Sequence, residues 1–368
     1  MNVLPRTLTL PPRTIAGPDA VLGLLAECAA YGVKGVLVHG RSLETSGSLR
    51  RIMERRPGGL DVLPWQFPGG EPTLRQLATL LATARQFGAD WVAAVGGGSV
   101  MDVAKGCAGL LHADLPPVAY HDGAAIAPSH VPFVAVPTTA GTGSESTTVV
   151  VLTNDETGVK KSIRHPSFIA SLVILDPGLL AACPPAVIAS SGMDALVQAI
   201  ESYVSRGATW FSDQAALKAM ELIGLALVPA YRGERGEAAR DLLQGSYLAG
   251  LALSNARLGL VHGLAHPLGA RYHQPHGLVC AVCLAPVLEF NREVIPARYQ
   301  AISDVLGADL PGRLKDMLEA LEVQSPFKGR PLRDSAGIVR ETLESGSTAA
   351  NPRAVTAADV ERILERIF

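Results

Sequence analysis

The sequence predicts a parallel α/β domain followed by an all-α domain, and three observations carry that prediction. The chain has 368 residues, more than the roughly 250–300 at which a single hydrophobic core stops growing. Up to about residue 178, short β-branched or apolar runs alternate with helical patterns, as in βαβ units. From residue 184 onward, long Ala- and Leu-rich segments predominate. We therefore expect domains at residues 1–178 and 179–368, with a cleft between them.

The same patterns predict the individual elements. In the first domain we expect strands at residues 35–38, 91–95, 133–136 and 173–175, and helices at 73–88 and 99–111. In the second we expect helices at 189–204, 213–227, 238–254 and 296–305, a loop at 325–331 and a last helix from about residue 357. The turn residues Asp176, Pro177 and Gly178 mark the boundary.

Composition argues against several classes of function. Apolar residues make up 48% of the chain and charged residues 18%, which favours a globular protein. The formal net charge of −2 provides no basic field for nucleic acid or a membrane surface. The apolar stretch 277–290 is interrupted by Pro286 and is shorter than the ~20 residues that span a bilayer. Because the first residues lack a secretory pattern, we expect a cytoplasmic protein.

The five cysteines are an odd number, which indicates buried thiols rather than disulfides. Cys280 and Cys283 form a C-x-x-C pattern inside an apolar segment. A single such pair lacks the ligand count of a structural zinc site, so ordinary packing is favoured over a redox or zinc role.

Two loops in the first domain have the composition of phosphate-binding turns. Gly97, Gly98 and Ser99 follow the strand at 91–95 and open a helix, where free N–H groups and the helix dipole attract an anion. A tight strand-to-helix turn is the alternative. The loop 137–145, rich in Gly, Thr and Ser, follows the strand at 133–136. Two such loops at one sheet edge predict a dinucleotide site, although neither has the G-x-G-x-x-G pattern.

Three histidines in the second domain indicate a metal site. His262 and His266 are four residues apart and share one helix face, and His276 follows ten residues later. A satisfied core histidine is the alternative for any one of them. Asp194 is the candidate acidic partner, because an unpaired carboxylate in its apolar segment would be costly. The alternative for Asp194 is a helix N-terminal cap.

These residues resemble the iron-containing (group III) alcohol dehydrogenase superfamily, whose relatives include maleylacetate reductases, glycerol dehydrogenases and dehydroquinate synthases. The resemblance runs nearly end to end and is carried by the turn 96–99 with Asp102 and Lys105, the loop 137–145, Gly158-Val159-Lys160, Asp176-Pro177, and the segments 192–195, 262–269 and 276–277. It implies a dehydroquinate synthase-like fold, with a nucleotide-binding α/β domain, a helical metal-binding domain and hydride transfer in the cleft between them.

The resemblance implies that Asp194, His262 and His276 hold the metal, while His266 lies beside the nicotinamide and transfers a proton. The family's fourth ligand is a histidine, and Gln198 occupies that position here. A neutral amide is a poorer ligand than an imidazole, which leaves two outcomes. Either the three remaining residues hold Zn²⁺ or another divalent ion such as Fe²⁺, which we favour, or metal is lost as in maleylacetate reductases.

The resemblance also implies how the cofactor is held. The pyrophosphate lies on Gly97, Gly98 and Ser99, and Lys160 approaches the cofactor or the substrate oxygen. The other residues implied to contact the cofactor are Asp102, Thr138, Thr139 and Thr142. The favoured function is an NAD(P)-dependent alcohol dehydrogenase or aldehyde reductase with a substrate-polarising metal. The alternatives are a metal-independent oxo-acid reductase and a non-redox cyclase of the dehydroquinate synthase type.

The end of the second strand bears on the choice of cofactor. NAD-selective sites place an acidic side chain there, which binds the ribose 2′-hydroxyl and repels a 2′-phosphate. This sequence has Gly40 at that position, followed by Arg41 and Ser42, which can bind phosphate oxygens. We predict NADP(H) over NAD(H), the alternative being an Arg41 that points to solvent.

The substrate is expected to be a small alcohol or aldehyde. Arg257, Arg271 and His273 flank the metal-binding helix and would favour an anionic substrate if they line the pocket. Surface salt bridging is the alternative for all three. We also expect the protein to be a homodimer.

Overall fold

The computed structural model describes residues 2–368 and contains two compact units. The first, here the α/β unit, comprises residues 9–139 and 144–183. The second, here the helical unit, comprises residues 2–8, 140–143 and 184–368.

The α/β unit is built on a six-stranded parallel sheet with the strand order β1-β8-β5-β4-β2-β3. A separate antiparallel hairpin is formed by β6 and β7. The strands are β1 Thr14–Ala16, β2 Lys34–His39, β3 Asp61–Gln66, β4 Trp91–Gly96, β5 Phe133–Pro137, β6 Val149–Thr153, β7 Lys160–Arg164 and β8 Leu172–Leu175. The helices of this unit are α1 Leu24–Cys28, α2 Arg41–Thr45, α3 Ser48–Glu54, α4 Leu74–Phe87, α5 Gly98–Leu110 and α6 Pro117–His121.

Local sequence explains why these elements form where they do. The central strands β4 and β5 are buried along their whole length, so they consist of continuous apolar runs. Helix α4 begins at a capping box between Thr73 and Gln76 and ends at Gly88, whose φ of 72° is left-handed. On β2, a Cβ at Gly35 would lie 2.0 Å from the ring of Trp91, so only glycine fits.

The structure confirms the predicted parallel α/β architecture and every strand and helix predicted for this unit. It adds β1, β3 and the β6–β7 hairpin, which the sequence analysis did not identify. Strand β1 has only three residues, and β3 is an edge strand that contains Pro64. Short strands and edge strands interrupted by proline carry a weak periodic signal.

The helical unit contains nine α-helices among its described residues, and α7, α8 and α9 pack closely together. They are α7 Pro185–Val204, α8 Trp210–Tyr231, α9 Glu237–Ala256, α10 Leu260–Tyr272, α11 His276–Asn291, α12 Pro296–Leu306, α13 Leu310–Ala320, α14 Ser335–Glu344 and α15 Ala357–Ile367. The predicted helices of this region all lie inside these bounds. One correction concerns Pro286, which lies within α11 and does not interrupt it. Within residues 2–368, no helix is long and apolar enough to cross a membrane.

Candidate metal and nucleotide sites

The candidate metal site is built on α7, α10 and α11. Asp194 lies in the middle of α7, so it is not the N-terminal cap considered from the sequence. The start of α11 lies directly against α7, because a Cβ on Gly277 would be 2.0 Å from the carbonyl oxygen of Ser190. This close approach explains the glycine after His276. It brings the first turn of α11 to the acidic face of α7.

Four potential ligand atoms converge at this point, one each from Asp194, His262, His276 and Cys280, all within 4.8 Å of one another. Oδ1 of Asp194 lies 3.4 Å from Nε2 of His262 and 3.7 Å from Nε2 of His276. The Sγ of Cys280 lies 3.6 Å from Nε2 of His276. The structure therefore brings together the three predicted ligands and one residue that the sequence analysis assigned to packing.

A buried carboxylate orients His262. Oε2 of Glu201 lies 2.6 Å from Nδ1 of His262, and Oε1 accepts a 2.6 Å hydrogen bond from the backbone N–H of Val261. Glu201 thus holds both the imidazole and the first turn of α10. With Nδ1–H directed to Glu201, the Nε2 lone pair of His262 faces Asp194, which is the usual arrangement of a metal-binding histidine.

Three buried polar atoms at this site lack a hydrogen-bond partner within the part of the chain that the structure describes. They are Oδ1 of Asp194, Nε2 of His262 and Oε1 of Gln198. Buried polar atoms are normally satisfied, and each exception needs an explanation. Two of them, Oδ1 of Asp194 and Nε2 of His262, belong to the four converging groups, and a divalent cation would satisfy both. The residues present therefore fit a bound metal ion.

The charges around Asp194 also favour metal binding, because they keep its carboxylate ionised. Burial raises the pKa of Asp194, but the facing His276 and His262 outweigh burial and hold that pKa below its ordinary value. The carboxylate is therefore anionic at neutral pH. An anionic oxygen beside two imidazole nitrogens is the kind of ligand set that divalent zinc or iron accepts.

His266 lies next to this group but is not one of its four members. It is exposed at the surface of the helical unit. Its ring stacks on that of His276, with centroids 5.3 Å apart and an interplanar angle of 21°. His266 thus adjoins the candidate metal ligands and is itself exposed.

In the α/β unit, the predicted cofactor loops follow three neighbouring strands. In the sheet order β5-β4-β2, the strands end in the segments beginning at Thr138, Gly97 and Gly40 respectively. The backbone N–H of Thr138 donates to the carbonyl of Gly96 at 3.0 Å. A Cβ on Gly97 would lie 3.3 Å from the side chain of Thr139, so the two loops touch. The segment 140–143, which contains Thr142, belongs to the helical unit, where Gly141 lies against Ser191.

The N-terminus of α5 has the character of an anion site. Gly97 is its N-cap residue, no side chain caps the helix, and no acidic residue lies in the first turn. Gly98 and Ser99 are partly exposed there. Backbone N–H groups at such a terminus attract phosphate because they lack intrahelical partners and the helix dipole is positive.

Asp102 and Lys105 form a closed internal network. Oδ1 of Asp102 accepts from the hydroxyl of Ser144 at 2.6 Å, and Oδ2 accepts from the backbone N–H of Val151 at 3.1 Å. The fully buried Nζ of Lys105 donates to both the carbonyl and the hydroxyl of Ser144 and also reaches Thr147. Both carboxylate oxygens of Asp102, predicted to contact the cofactor, are thus occupied by internal hydrogen bonds.

Lys160, the other residue predicted beside the cofactor or substrate, is the first residue of β7. Its Nζ forms an ion pair with Glu71 inside the α/β unit. Arg41, at the start of α2, is exposed, and its guanidinium makes no hydrogen bond or ion pair with any residue in 2–368.

Arg257, Arg271 and His273, the cationic residues near α10, have different surroundings. Arg271 is held by two carboxylates, with contacts of 2.7 Å to Asp334 and 2.6 Å to Glu341, so it follows the salt-bridge alternative. Arg257 donates to the carbonyl of Gly346. Arg271 and His273 also border a cavity of about 410 Å³ whose other lining residues are Tyr272, Arg330, Pro331 and Arg333.

Sequence reasoning missed two residues of the candidate metal site. Cys280 follows His276 by four positions and therefore lies on the same helix face, a spacing that the C-x-x-C interpretation obscured. Glu201 follows Asp194 by seven positions, two turns along an otherwise apolar helix. A second acid on one face of a buried helix was the available signal.

Both parts of the chain match families of known proteins. Residues 11–177 match the family described as iron-containing alcohol dehydrogenase, and residues 188–368 match its C-terminal family, described as Fe-containing alcohol dehydrogenase. The probable alcohol dehydrogenase EutG of Escherichia coli K12 is 35% identical over 367 residues, covering 98% of this chain and 90% of that protein. Lactaldehyde reductase of the same strain is 31% identical and covers 94% of each chain.

A solved structure is also similar. Sulfoacetaldehyde reductase from Bifidobacterium kashiwanohense, in complex with NAD⁺, has a TM-score of 0.92 and 28% identity, covering 98% of each chain. Fold and relatives together define the class of this protein, an alcohol or aldehyde oxidoreductase. More particularly, the chain belongs to the iron-containing alcohol dehydrogenase family, which confirms both the resemblance and the fold predicted from the sequence.

Proposed function

We propose that this protein interconverts a small alcohol and its aldehyde or ketone using NADP(H) and a divalent metal held by Asp194, His262 and His276. The observation that carries the proposal is the convergence of unpartnered buried donor atoms at one point, Oδ1 of Asp194 and Nε2 of His262 among them. In this proposal residues 1–178 bind the nucleotide, and residues 179–368 bind the metal and the substrate.

When bound, the metal supplies Lewis-acid polarisation of the substrate oxygen. Residues of the chain orient the metal ligands and transfer the proton. Glu201 fixes the tautomer and direction of His262 through Nδ1. His266, exposed and stacked on His276, holds or releases the proton exchanged with the substrate oxygen, a task suited to an imidazole near neutral pH.

On the nucleotide side, the uncapped first turn of α5 binds the pyrophosphate through the backbone of Gly97, Gly98 and Ser99. Thr138 and Thr139 border this turn, as their contacts with Gly96 and Gly97 indicate. We assign Lys160 and Thr142 to the same cofactor. Asp102 contributes indirectly, by holding Ser144 and Val151 in place beside α5.

The preference for NADP(H) rests on the end of β2. Gly40 carries no carboxylate to repel a 2′-phosphate, and the exposed guanidinium of Arg41 is available to bind one. The nearest acid in sequence, Glu44, accepts a 3.0 Å hydrogen bond from Gln66.

The cofactor assignment is tested by kcat/KM for NADPH and NADH in the wild type, Arg41→Ala and Gly40→Asp. A Cβ on Gly40 makes only an ordinary 3.7 Å contact with Val100, so aspartate fits there. We expect Arg41→Ala to impair NADPH use selectively and Gly40→Asp to invert the preference. A tenfold wild-type preference for NADH, about 1.4 kcal/mol, would contradict the assignment.

The reaction itself is tested by oxidation of NADPH with aldehydes in paired forms, with and without an anionic group, before and after metal chelation. Net NADPH consumption that requires metal supports the proposal. Undiminished activity after chelation, in protein free of metal by elemental analysis, would favour the oxo-acid reductase. Turnover without net change in NADPH would indicate a cyclase. Because Arg271 is engaged by two carboxylates, we expect the anionic group to change kcat/KM by less than tenfold.

A further inference from the structure

We propose that the thiolate of Cys280 is the fourth protein ligand of this metal, in place of a side chain at position 198, and that the site therefore selects zinc. This inference rests on the proposed function, since it concerns the same ion. It differs from the resemblance-based expectation of a three-residue site, in which Cys280 had no role.

The distances at the site support tetrahedral coordination that includes sulfur. At zinc bond lengths of ~2.0 Å to nitrogen or oxygen and ~2.3 Å to sulfur, tetrahedral ligand atoms lie about 3.5 Å apart. Three of the six separations are 3.4 Å from Asp194 to His262, 3.7 Å from Asp194 to His276, and 3.6 Å from His276 to Cys280. All four candidate atoms lie within 4.8 Å of one another. Cys280 thus lies close enough to the other three groups to bind the same ion.

Helix geometry explains how the sulfur reaches this position. His276 is the first residue of α11, and Cys280 lies one turn later on the same face. The contact of Gly277 with Ser190 holds that face against α7. The placement of Cys280 therefore follows from the same packing that places His276.

Charge and donor type favour Cys280 over Gln198. Binding of the ion displaces the thiol proton, which leaves to solvent, and the thiolate then bonds to the metal. A thiolate at Cys280 would place a second negative charge, besides that of Asp194, in direct contact with the divalent ion, whereas a neutral amide supplies none. Thiolate is also a soft ligand that favours zinc, while amide oxygen suits harder ions. Zinc can expand to five ligands, so four protein ligands still permit a substrate oxygen to bind.

The chain provides a matched control in Cys283. It is buried like Cys280 and lies three residues later on α11, but it is not one of the four converging residues. Replacement of either cysteine by serine removes one sulfur from the same helix. Only the Cys280 replacement should change the metal.

The experiment uses the full-length holoprotein, stripped with a chelator and reloaded with Co²⁺. We expect a thiolate-to-cobalt charge-transfer band in the near ultraviolet for the wild type, Cys283→Ser and Gln198→Ala, and its loss in Cys280→Ser. X-ray absorption of the Zn²⁺-loaded wild type should show one sulfur at about 2.3 Å. Competition with a chelating dye should show at least a ~100-fold weaker zinc affinity for Cys280→Ser.

A cobalt spectrum without a sulfur band in the wild type, or a band that persists in Cys280→Ser, would overturn the inference while leaving a metal site of Asp194 and the two histidines intact. Failure of the wild type to bind Co²⁺ or Zn²⁺ would overturn both this inference and the proposed metal-dependent function. If Cys280→Ser does not fold by circular dichroism, the presence or absence of sulfur scattering in the wild type decides the question.

Discussion

Each unit contains a buried cluster of charged and polar side chains, and the two clusters differ in whether their polar atoms have hydrogen-bond partners. In the α/β unit, Lys105 and Asp102 direct all their polar atoms to internal partners such as Ser144. In the helical unit, Asp194 and His262 leave an oxygen and a nitrogen without a hydrogen-bond partner among the described residues. Burial of charged and polar groups is therefore not in itself a sign of function. The convergence of unsatisfied donor atoms at one point is what distinguishes the candidate ligand site from a structural network.

This comparison predicts opposite consequences of mutation. Removing a member of the satisfied network should lower stability and leave metal binding unchanged. Removing a member of the unsatisfied cluster should abolish metal binding and change the stability of the metal-free fold only slightly.

The largest expected effect is that of Asp194→Ala. Because the carboxylate is the anionic member of the three predicted ligands, we expect loss of bound metal and a fall in kcat/KM of about 10³-fold or more, roughly 4 kcal/mol. The free energy of unfolding of the metal-free protein should change by about 1 kcal/mol or less. Elemental analysis, steady-state kinetics and urea denaturation measure the three quantities. Stoichiometric metal in the variant would remove the distinction between the two clusters.

Lys105→Met should destabilise the fold by about 3 kcal/mol, because it leaves the acceptors on Ser144 and Thr147 and the carboxylate of Asp102 without their buried cation. Metal content per folded molecule should not change. The exposed Lys161→Met is the control and should shift the unfolding free energy by less than about 0.5 kcal/mol. Equal urea midpoints for the two variants would contradict a structural role for the Lys105 network.

His266→Ala should slow turnover by about 10²-fold without loss of metal, because His266 stacks on His276 but lies outside the four converging residues. His262→Ala should do the reverse and release the metal. Metal titration and kcat for both variants test the assignment. Equal metal loss in His266→Ala and His262→Ala would show that the two histidines do not have the separate roles assigned to them.

Glu201→Gln should weaken metal affinity by about 10- to 100-fold, because the negative charge that orients His262 through Nδ1 is lost. The backbone contact to Val261 can be retained by the amide oxygen, so the fold should persist. The expected signature is a higher zinc dissociation constant with near-normal kcat at saturating metal. A change in kcat with unaltered affinity would exclude a positioning role.

The smallest expected effect concerns Glu145, a buried acid beside the Lys105 network. Burial raises the pKa of Glu145 to about 7. The folded state therefore holds a proton that the unfolded chain releases near pH 4.5, and the stability from Glu145 is lost as the pH rises through 7. Glu145→Gln cannot ionise, so the unfolding free energy of this variant, relative to that of the wild type, should rise by about 2 kcal/mol between pH 5 and pH 7.5. Urea titrations at both pH values measure the unfolding free energies of the variant and the wild type. If the difference between the two proteins is the same at pH 5 and pH 7.5, the pKa of Glu145 is not raised by folding.

Local sequence determined much of the fold. The helical pattern of residues 73–88 was enough to predict α4, and the capping box at Thr73 and the left-handed Gly88 bound the helix in the structure. Continuous apolar runs likewise predicted β4 and β5 as buried parallel strands. The signals that were too weak belonged to β1 and β3, where three residues or an edge proline leave little periodicity to detect.

Part of the candidate site could also be predicted from local sequence. The spacing of His262, His266 and His276, with Asp194, predicted a metal cluster from sequence, because helical periodicity places such residues on shared faces.

Only the tertiary structure decided which side chains complete that cluster and which are neutralised. Glu201 meets His262 across 61 positions of sequence, and Arg271 meets Asp334 across 63, pairings that no local pattern encodes. Cys280 enters the cluster because Gly277 allows α11 to pack against α7, which a C-x-x-C pattern does not reveal. The sequence specifies its chemistry through residue type and local spacing. The partners of each group are set by long-range packing, which is a property of the folded chain as a whole.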